Sequence, residues 1–186
     1  FNTRFTRGVL LDTMPEKFDF LVRISGYTHG TDVWLGNARD LITSKTAAVD
    51  ETIGCRDDIM IYLISRGLPE KRAFKIMESV RKGRGLPEGA EDEMRQAGVP
   101  DWYITSCKKI KYLFPKAHAV AYVMMAFRIA WFKVYHPLAF YAAYFYRRSQ
   151  KGGFDAVLMT GGLDACRANI AAIEDNENAT DKDEDL

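Results

Sequence analysis

Cysteine is scarce in this chain, and what there is forms no pattern. Cys55, Cys107 and Cys166 are odd in number and nowhere stand as C-x-x-C, which excludes both a disulfide framework and a zinc site. They read as buried or inert thiols in a reducing cytosol. No charged n-region followed by an apolar h-region opens the chain, so it is not secretory. A membrane span needs about 20 largely apolar residues, and the best candidate, Ala117 to Tyr135, is interrupted by His118, Arg128 and Lys133. That stretch reads as a buried helix of a large fold. Runs of alternating apolar and polar residues are missing as well, so the fold class is all-α. Grouped carboxylates are also missing. The D-x-D spacings lie only in the terminal Asp181-Lys182-Asp183-Glu184-Asp185, and the pair Asp57-Asp58 suits a helix's first turn, where adjacent acids serve the dipole and diverge on the cylinder. No metal site is expected within the chain. Net charge is nearly absent too, at 26 basic against 25 acidic residues, but base collects at Arg66 to Arg84 and Lys108 to Lys116 while acid collects at Glu88 to Glu93 and after Glu174.

What is present suffices for a packed domain: 186 residues with 47% apolar content can bury a proper core. The start at Phe1 and the acidic end suggest a piece of something longer. Phe1 to Met14 reads as a lead-in, extended or helical, with its partner upstream. Helical spacing over Phe18 to Ile24 is ended by Ser25-Gly26. A short helix is expected from Asp32 to Ile42, with Thr31 as N-cap and Asp32 beside the dipole. His29-Gly30-Thr31 would then form an anion site at that helix start. Helices follow at Arg56 to Arg66, at Glu70 to Lys82 after the breaker Gly67-Leu68-Pro69, at Glu91 to Ala97, and from Pro100-Asp101 to Leu113. Two long aromatic helices, Tyr122 to Tyr135 and Leu138 to Arg148, are separated by His136-Pro137. Weaker helices at Asp155 to Met159 and Leu163 to Glu174 precede a disordered acidic tail.

The segment Tyr112-Leu113-Phe114-Pro115-Lys116-Ala117-His118-Ala119-Val120-Ala121-Tyr122 concentrates chemistry at a helix start. Pro115 suits a first turn because its missing N–H costs nothing there, and the amides that follow form an anion-binding cup. Lys116 adds a full positive charge. His118 and Tyr122, four residues apart, share a face that continues to Met125 and Ile129. Ordinary amphipathic packing accounts for the same residues equally well. Lys108, Lys109 and Lys111, interleaved with Ile110 and Tyr112, present either a solvated face or a counterion-releasing contact to nucleic-acid phosphates.

Read as Phe114-Pro115-Lys116-x-His118-Ala119-x-Ala121-Tyr122, followed by Arg128-Ile129-Ala130 and Phe132-Lys133-Val134-x-His136-Pro137, the segment resembles the fingers of C-family replicative DNA polymerases, and more narrowly the PolC type of the polymerase III alpha subunit. Arg23-Ile24-Ser25-Gly26 leading into His29-Gly30-Thr31-Asp32-Val33-Trp34-Leu35-Gly36-Asn37-Ala38 is a second matching block. Ile53-Gly54-Cys55-Arg56-Asp57-Asp58-Ile59-Met60 and Ala73-Phe74-Lys75-Ile76-Met77-Glu78-Ser79-Val80-Arg81-Lys82-Gly83 are two more, in family order. Thr28 and Val120 depart from the commoner serine and alanine, and the match loosens from Gln150 onward.

The resemblance implies a multi-helix fingers region over residues 1–150, with residues 151–186 leading toward a next domain. It implies a nucleotide pocket at Phe114, Lys116, His118 and Tyr122, with His29, Gly30, Thr31 and Arg56 nearby, and contact to primer-template DNA through Lys108, Lys109 and Lys111. It places the catalytic aspartates and their Mg²⁺ ions in an upstream palm, outside this chain, so the fragment alone would be inactive. It further implies a cytoplasmic parent enzyme with a sliding clamp and other replisome subunits as partners, an exonuclease among its activities, and no membrane. A noncatalytic helical DNA-binding module, or a protein-interaction scaffold using Leu138 to Tyr146, is the alternative.

Overall fold

The computed structural model describes residue 1, residues 3–149 and residues 160–175, and among these it contains helices and no strand. The chain divides into two compact units, Phe1–Ala126 and Phe127–Leu186.

The first unit begins with α1, Arg4–Thr13, where Thr3 Oγ1 accepts from the Thr6 amide at 3.2 Å and caps the helix start. Val9 reaches the core and α1 packs on α2. The lead-in therefore has a partner inside the chain. Helix α2, Phe18–His29, runs straight through the expected stop at Ser25-Gly26. Gly26 serves close approach instead of termination: a Cβ there would run into the Gly54 carbonyl oxygen, so only glycine lets the helix cross the 52–55 loop. Gly30, with extended backbone, closes the helix by donating to the Gly26 carbonyl.

The expected helix over Asp32 to Ile42 forms only at its end, as α3, Arg39–Thr43. Asp32 has φ of 56°, and Leu35, Gly36 and Asn37 in the Trp34–Ala38 turn lie outside helical geometry. The cause is Asn37. Its buried amide donates to the Asp32 carbonyl at 3.0 Å while its Oδ1 accepts from Ser106 Oγ at 2.6 Å, satisfying backbone and side chain in a non-helical turn.

Helices α4, Arg56–Ser65, and α5, Glu70–Arg81, pack as a pair across Gly67-Leu68-Pro69 and send Ile59, Leu63, Ala73, Ile76 and Val80 into the main core. Helix α6, Ala90–Gln96, leads to α7, Asp101–Lys109. The latter stops four residues short of the expected Leu113, because residues 111–113 take their hydrogen bonds from elsewhere. Thr31 and Tyr112 form an antiparallel bridge, the Lys111 amide donates to the Thr31 carbonyl at 3.0 Å, and the Leu113 amide donates to the Arg81 carbonyl at 3.3 Å. Ile110 and Leu113, both fully buried, anchor this extended segment.

Helix α8, Lys116–Tyr135, begins in the first unit, where Ala119 and Val123 are its buried residues and pack with Val22 of α2. Within this chain the rest of α8 is largely uncovered: Tyr122, Met125, Phe127, Ile129, Trp131, Phe132, Val134 and Tyr135 are all exposed. By length and composition α8 could cross a membrane, and 11% of its most apolar window is buried. In the second unit Pro137 opens α9, Pro137–Ser149, and Ile129, Phe132, Phe140, Tyr144 and Arg147 help line an apolar groove of about 600 Å³. Helix α10 spans Leu163–Glu174, as expected. The helix expected at Asp155 to Met159 and the acidic tail beyond Asp175 lie outside the described residues.

Candidate functional site

Three elements of the first unit converge on the extended segment that links α7 to α8. The end of α2 holds Tyr112 through Thr31. The end of α5 holds Leu113 through the Arg81 carbonyl, and the start of α4 holds Phe114, whose carbonyl accepts from the Arg56 amide at 3.1 Å. Beyond these clips, side chains from the segment and from α8 form a ladder of rings. Tyr112 meets Phe114 edge-on with centroids 5.1 Å apart, Phe114 stacks on His118 at 4.8 Å, and His118 lies 4.6 Å from Tyr122. His29, on the last turn of α2, closes the other side at 5.8 Å from Phe114 and 6.3 Å from Tyr122. Helical spacing places His118 and Tyr122 one above the other, and the Pro115 bend brings Phe114 beneath them. Tyr122 is 58% exposed.

The charges around this ladder are arranged in pairs. The Lys116 amide donates to Asp57 Oδ2 at 2.7 Å, and the Lys116 ammonium lies 3.6 Å from Asp19 Oδ1. The start of α8 is therefore capped by a carboxylate from α4, a correction to the open amide cup expected there. Asp58 does a different job: its Oδ2 accepts from the Gly54 and Cys55 amides at 3.0 and 2.9 Å and caps α4 itself. Arg56 reaches both Asp57 and Glu78 at 3.9 Å. Glu78 also pairs with Arg81 and Lys82, and these hydrogen bonds hold its carboxyl down at about 2. His29 Nδ1 lies 2.7 Å from the Ser25 carbonyl, which can only accept. Nδ1 therefore carries a proton and donates to that carbonyl.

The structure thus gathers the rings of Phe114, His118, Tyr122 and His29, with the Arg56 amide held to the Phe114 carbonyl and Gly30 and Thr31 beside them as a connector, whereas the Lys116 side chain lies with Asp19 and helps line a cavity with Arg23, Asp58 and Tyr103 that includes none of these rings. His29-Gly30-Thr31 is not an anion-binding helix start: it is the C-terminal end of α2, where the dipole favours cations. Among the basic residues, Lys108 pairs with Glu91, Lys109 donates to the Gly36 carbonyl at 2.6 Å, and Lys111 is exposed on the extended segment. Sequence reasoning missed Asp57, Asp19 and Tyr112. The doublet Asp57-Asp58 carried a usable signal, since one helix start needs only one capping carboxylate. Among the described residues, no three His, Cys, Asp or Glu side chains are grouped as metal ligands.

Cys55 and Cys107 are buried free thiols whose acidity burial suppresses, each pushed up to about 12. Neither faces the ladder as a nucleophile.

Residues 1–99 match the family profile of the bacterial DNA polymerase III alpha subunit finger domain. Over its full length the chain is 56% identical to the DNA polymerase III PolC-type of Caldanaerobacter subterraneus, covering 13% of that protein. It is 57% identical to the Thermotoga maritima protein of the same name over 94% of the chain and 13% of the relative. With the Bacillus subtilis protein it shares 60% identity over 90% of the chain and 12% of the relative. The chain spans about an eighth of the length of these relatives. The ring ladder lies beyond the profile match yet inside the aligned stretch of the full-length match. The profile match and the similarity to these relatives, with which the helical architecture of the first unit agrees, lead to one assignment: the chain belongs to the bacterial DNA polymerase III alpha subunit finger-domain family.

Proposed function

We propose that this chain is the fingers segment of a replicative DNA-directed DNA polymerase, a nucleotidyltransferase, and that it binds the incoming deoxynucleoside triphosphate and the primer-template. The observation that carries this reading is the stacked ladder of Phe114, His118 and Tyr122, with Lys116 in the first turn of the same helix, α8. An exposed aromatic face accepts any of the four bases without choosing among them, which is what a template-directed enzyme requires, since pairing with the template supplies selection. Lys116 supplies the charge for a triphosphate. Its present partner Asp19 is an exposed carboxylate, and such pairs contribute only about 0–1 kcal/mol, so exchange for a multiply charged phosphate is favourable. His118 is a second donor to phosphate or a proton relay. His29 and Arg56 flank the pocket, and Gly30 and Thr31 hold the segment in place.

Lys108, Lys109 and Lys111, all exposed, would contact primer-template phosphates, with Lys108 and Lys109 exchanging their present partners. Two-metal nucleotidyl transfer needs grouped carboxylates. By the family resemblance such a group, and the Mg²⁺ it holds, would lie in an upstream palm outside this chain. The parent enzyme would work in the cytoplasm with a sliding clamp and other replisome subunits, and the exonuclease would belong to it as well.

The test is nucleotide incorporation by a full-length polymerase carrying this segment. Lys116→Ala is expected to lower kcat/KM about ten- to hundredfold, the loss of a charge-assisted contact worth about 1.5–3 kcal/mol. Tyr122→Ala is expected to cost about 1–3 kcal/mol for all four nucleotides alike, and Tyr122→Phe much less. Folded protein with unaltered kinetics in both alanine variants would end the pocket assignment and favour a noncatalytic DNA-binding or interaction module.

A further inference from the structure

We propose that Asp57 is a positioning residue for the nucleotide pocket, acting as a cross-element cap that sets the start of α8 against α4. This rests on the pocket reading of Lys116, His118 and Tyr122. Asp57 sits in the first turn of α4 but leaves the capping of its own helix to Asp58, which takes the Gly54 and Cys55 amides. Asp57 Oδ2 turns outward and accepts from the Lys116 amide at 2.7 Å. One residue away, the Arg56 amide donates to the Phe114 carbonyl at 3.1 Å. These two hydrogen bonds straddle Pro115 and fix both sides of the bend, Phe114 before it and Lys116 after it. Phe114 is the foot of the ring stack and His118 its next rung, so the bend sets whether the rings meet at 4.8 Å or splay.

The clip is also held from below. Ile59 and Leu63 of α4 are fully buried, and Asp58 is tied to Arg23 of α2 at 3.3 Å. Position is therefore transmitted from the core to the ladder through a short rigid connection, whereas the Lys116 ammonium stays free of Asp57 and engages Asp19. The carboxylate acts on α8 through its main chain, and an acceptor oxygen at the same place should suffice.

The experiment measures single-nucleotide incorporation by the full-length polymerase with Asp57→Ala and Asp57→Asn, alongside Lys116→Ala and Tyr122→Ala. Loss of the cap in Asp57→Ala is expected to raise KM about tenfold for each of the four nucleotides while kcat stays within about twofold. Asp57→Asn keeps an acceptor oxygen and is expected to restore KM to within about threefold of the parent. If Asp57→Ala cannot be purified folded, Asp57→Ser, too short to reach the Lys116 amide, is held to the same criterion. Unchanged KM in the folded alanine or serine variant overturns the assignment, as does an Asp57→Asn variant no better than alanine. Should Lys116→Ala and Tyr122→Ala keep their effects in that case, the pocket stands without Asp57. If they too are silent, both readings fall.

Discussion

At the scale of single residues, Glu78 shows how a site's charges enter stability. Its carboxyl titrates at about 2 against an ordinary 4.5, because Arg81 and Lys82 bind the ionised form. A depressed folded-state pKa contributes stability that is complete above about pH 4.5 and lost as the pH falls toward about 2. Glu78→Gln should therefore lower the thermal midpoint near neutrality and flatten its dependence on pH across that window. Melting curves of both proteins from pH 7 to pH 2 check this, and parallel curves would remove Glu78 from the acid transition. The thiols give a second residue-scale expectation. Raised to about 12 and buried, the Cys55 and Cys107 thiols should resist alkylation in the native protein at pH 8 and react only on unfolding. Mass spectrometry of the labelled chain, with and without denaturant, reads the outcome directly.

At the scale of elements, the crossing of α2 over the 52–55 loop organises the first unit. Arg23 donates to the Thr52 carbonyl at 2.5 Å and pairs with Asp58, and Tyr27 hydrogen-bonds Thr52 and the Val49 carbonyl. These bonds require the helix and the loop backbone to touch, and Gly26 allows it. In Gly26→Ala the new methyl meets the Gly54 carbonyl, which cannot swing aside as a side chain could. A loss of at least about 1–3 kcal/mol is expected from such overpacking. Gly8, also helical but with open space within 4 Å of where an added methyl would sit, is the control. Gly8→Ala should stabilise by about 0.5–1 kcal/mol. Urea denaturation of the two variants should move the midpoint in opposite directions, and equal shifts would contradict the crossing as the critical contact.

At the scale of the whole molecule, the near-zero net charge conceals a basic edge formed by Lys108, Lys109 and Lys111 on and after the end of α7. If these lysines meet DNA phosphates, binding of the full-length polymerase to primer-template should weaken steeply with salt, and changing all three to Ala should reduce the slope of log K against log salt by about 2–3. An unchanged slope would remove them from the DNA surface. The isolated chain should not extend a primer, since the carboxylates that hold catalytic metals would lie elsewhere. Template-dependent extension by the pure chain would contradict the division of labour.

Much of this was legible in the sequence, and the reason is local. Proline at 69, 100, 115 and 137 and glycine at 67, 98 and 162 mark helix ends through their own backbone restrictions, so the bounds of α4, α5, α6 and α10 follow from short-range chemistry. The spacing of His118 and Tyr122 likewise anticipates one face. What only the tertiary structure decided depends on contacts between residues far apart in the chain. Gly26 reads as a stop until Gly54 is seen against it, and Thr31 reads as an N-cap until it pairs with Tyr112, 81 positions on. Asp57 and Asp58 are indistinguishable in sequence, yet one caps α8 from 59 residues away and the other caps its own helix. A carboxylate accepts equally well from any amide within reach, so its partner is set by which backbone the fold delivers to it.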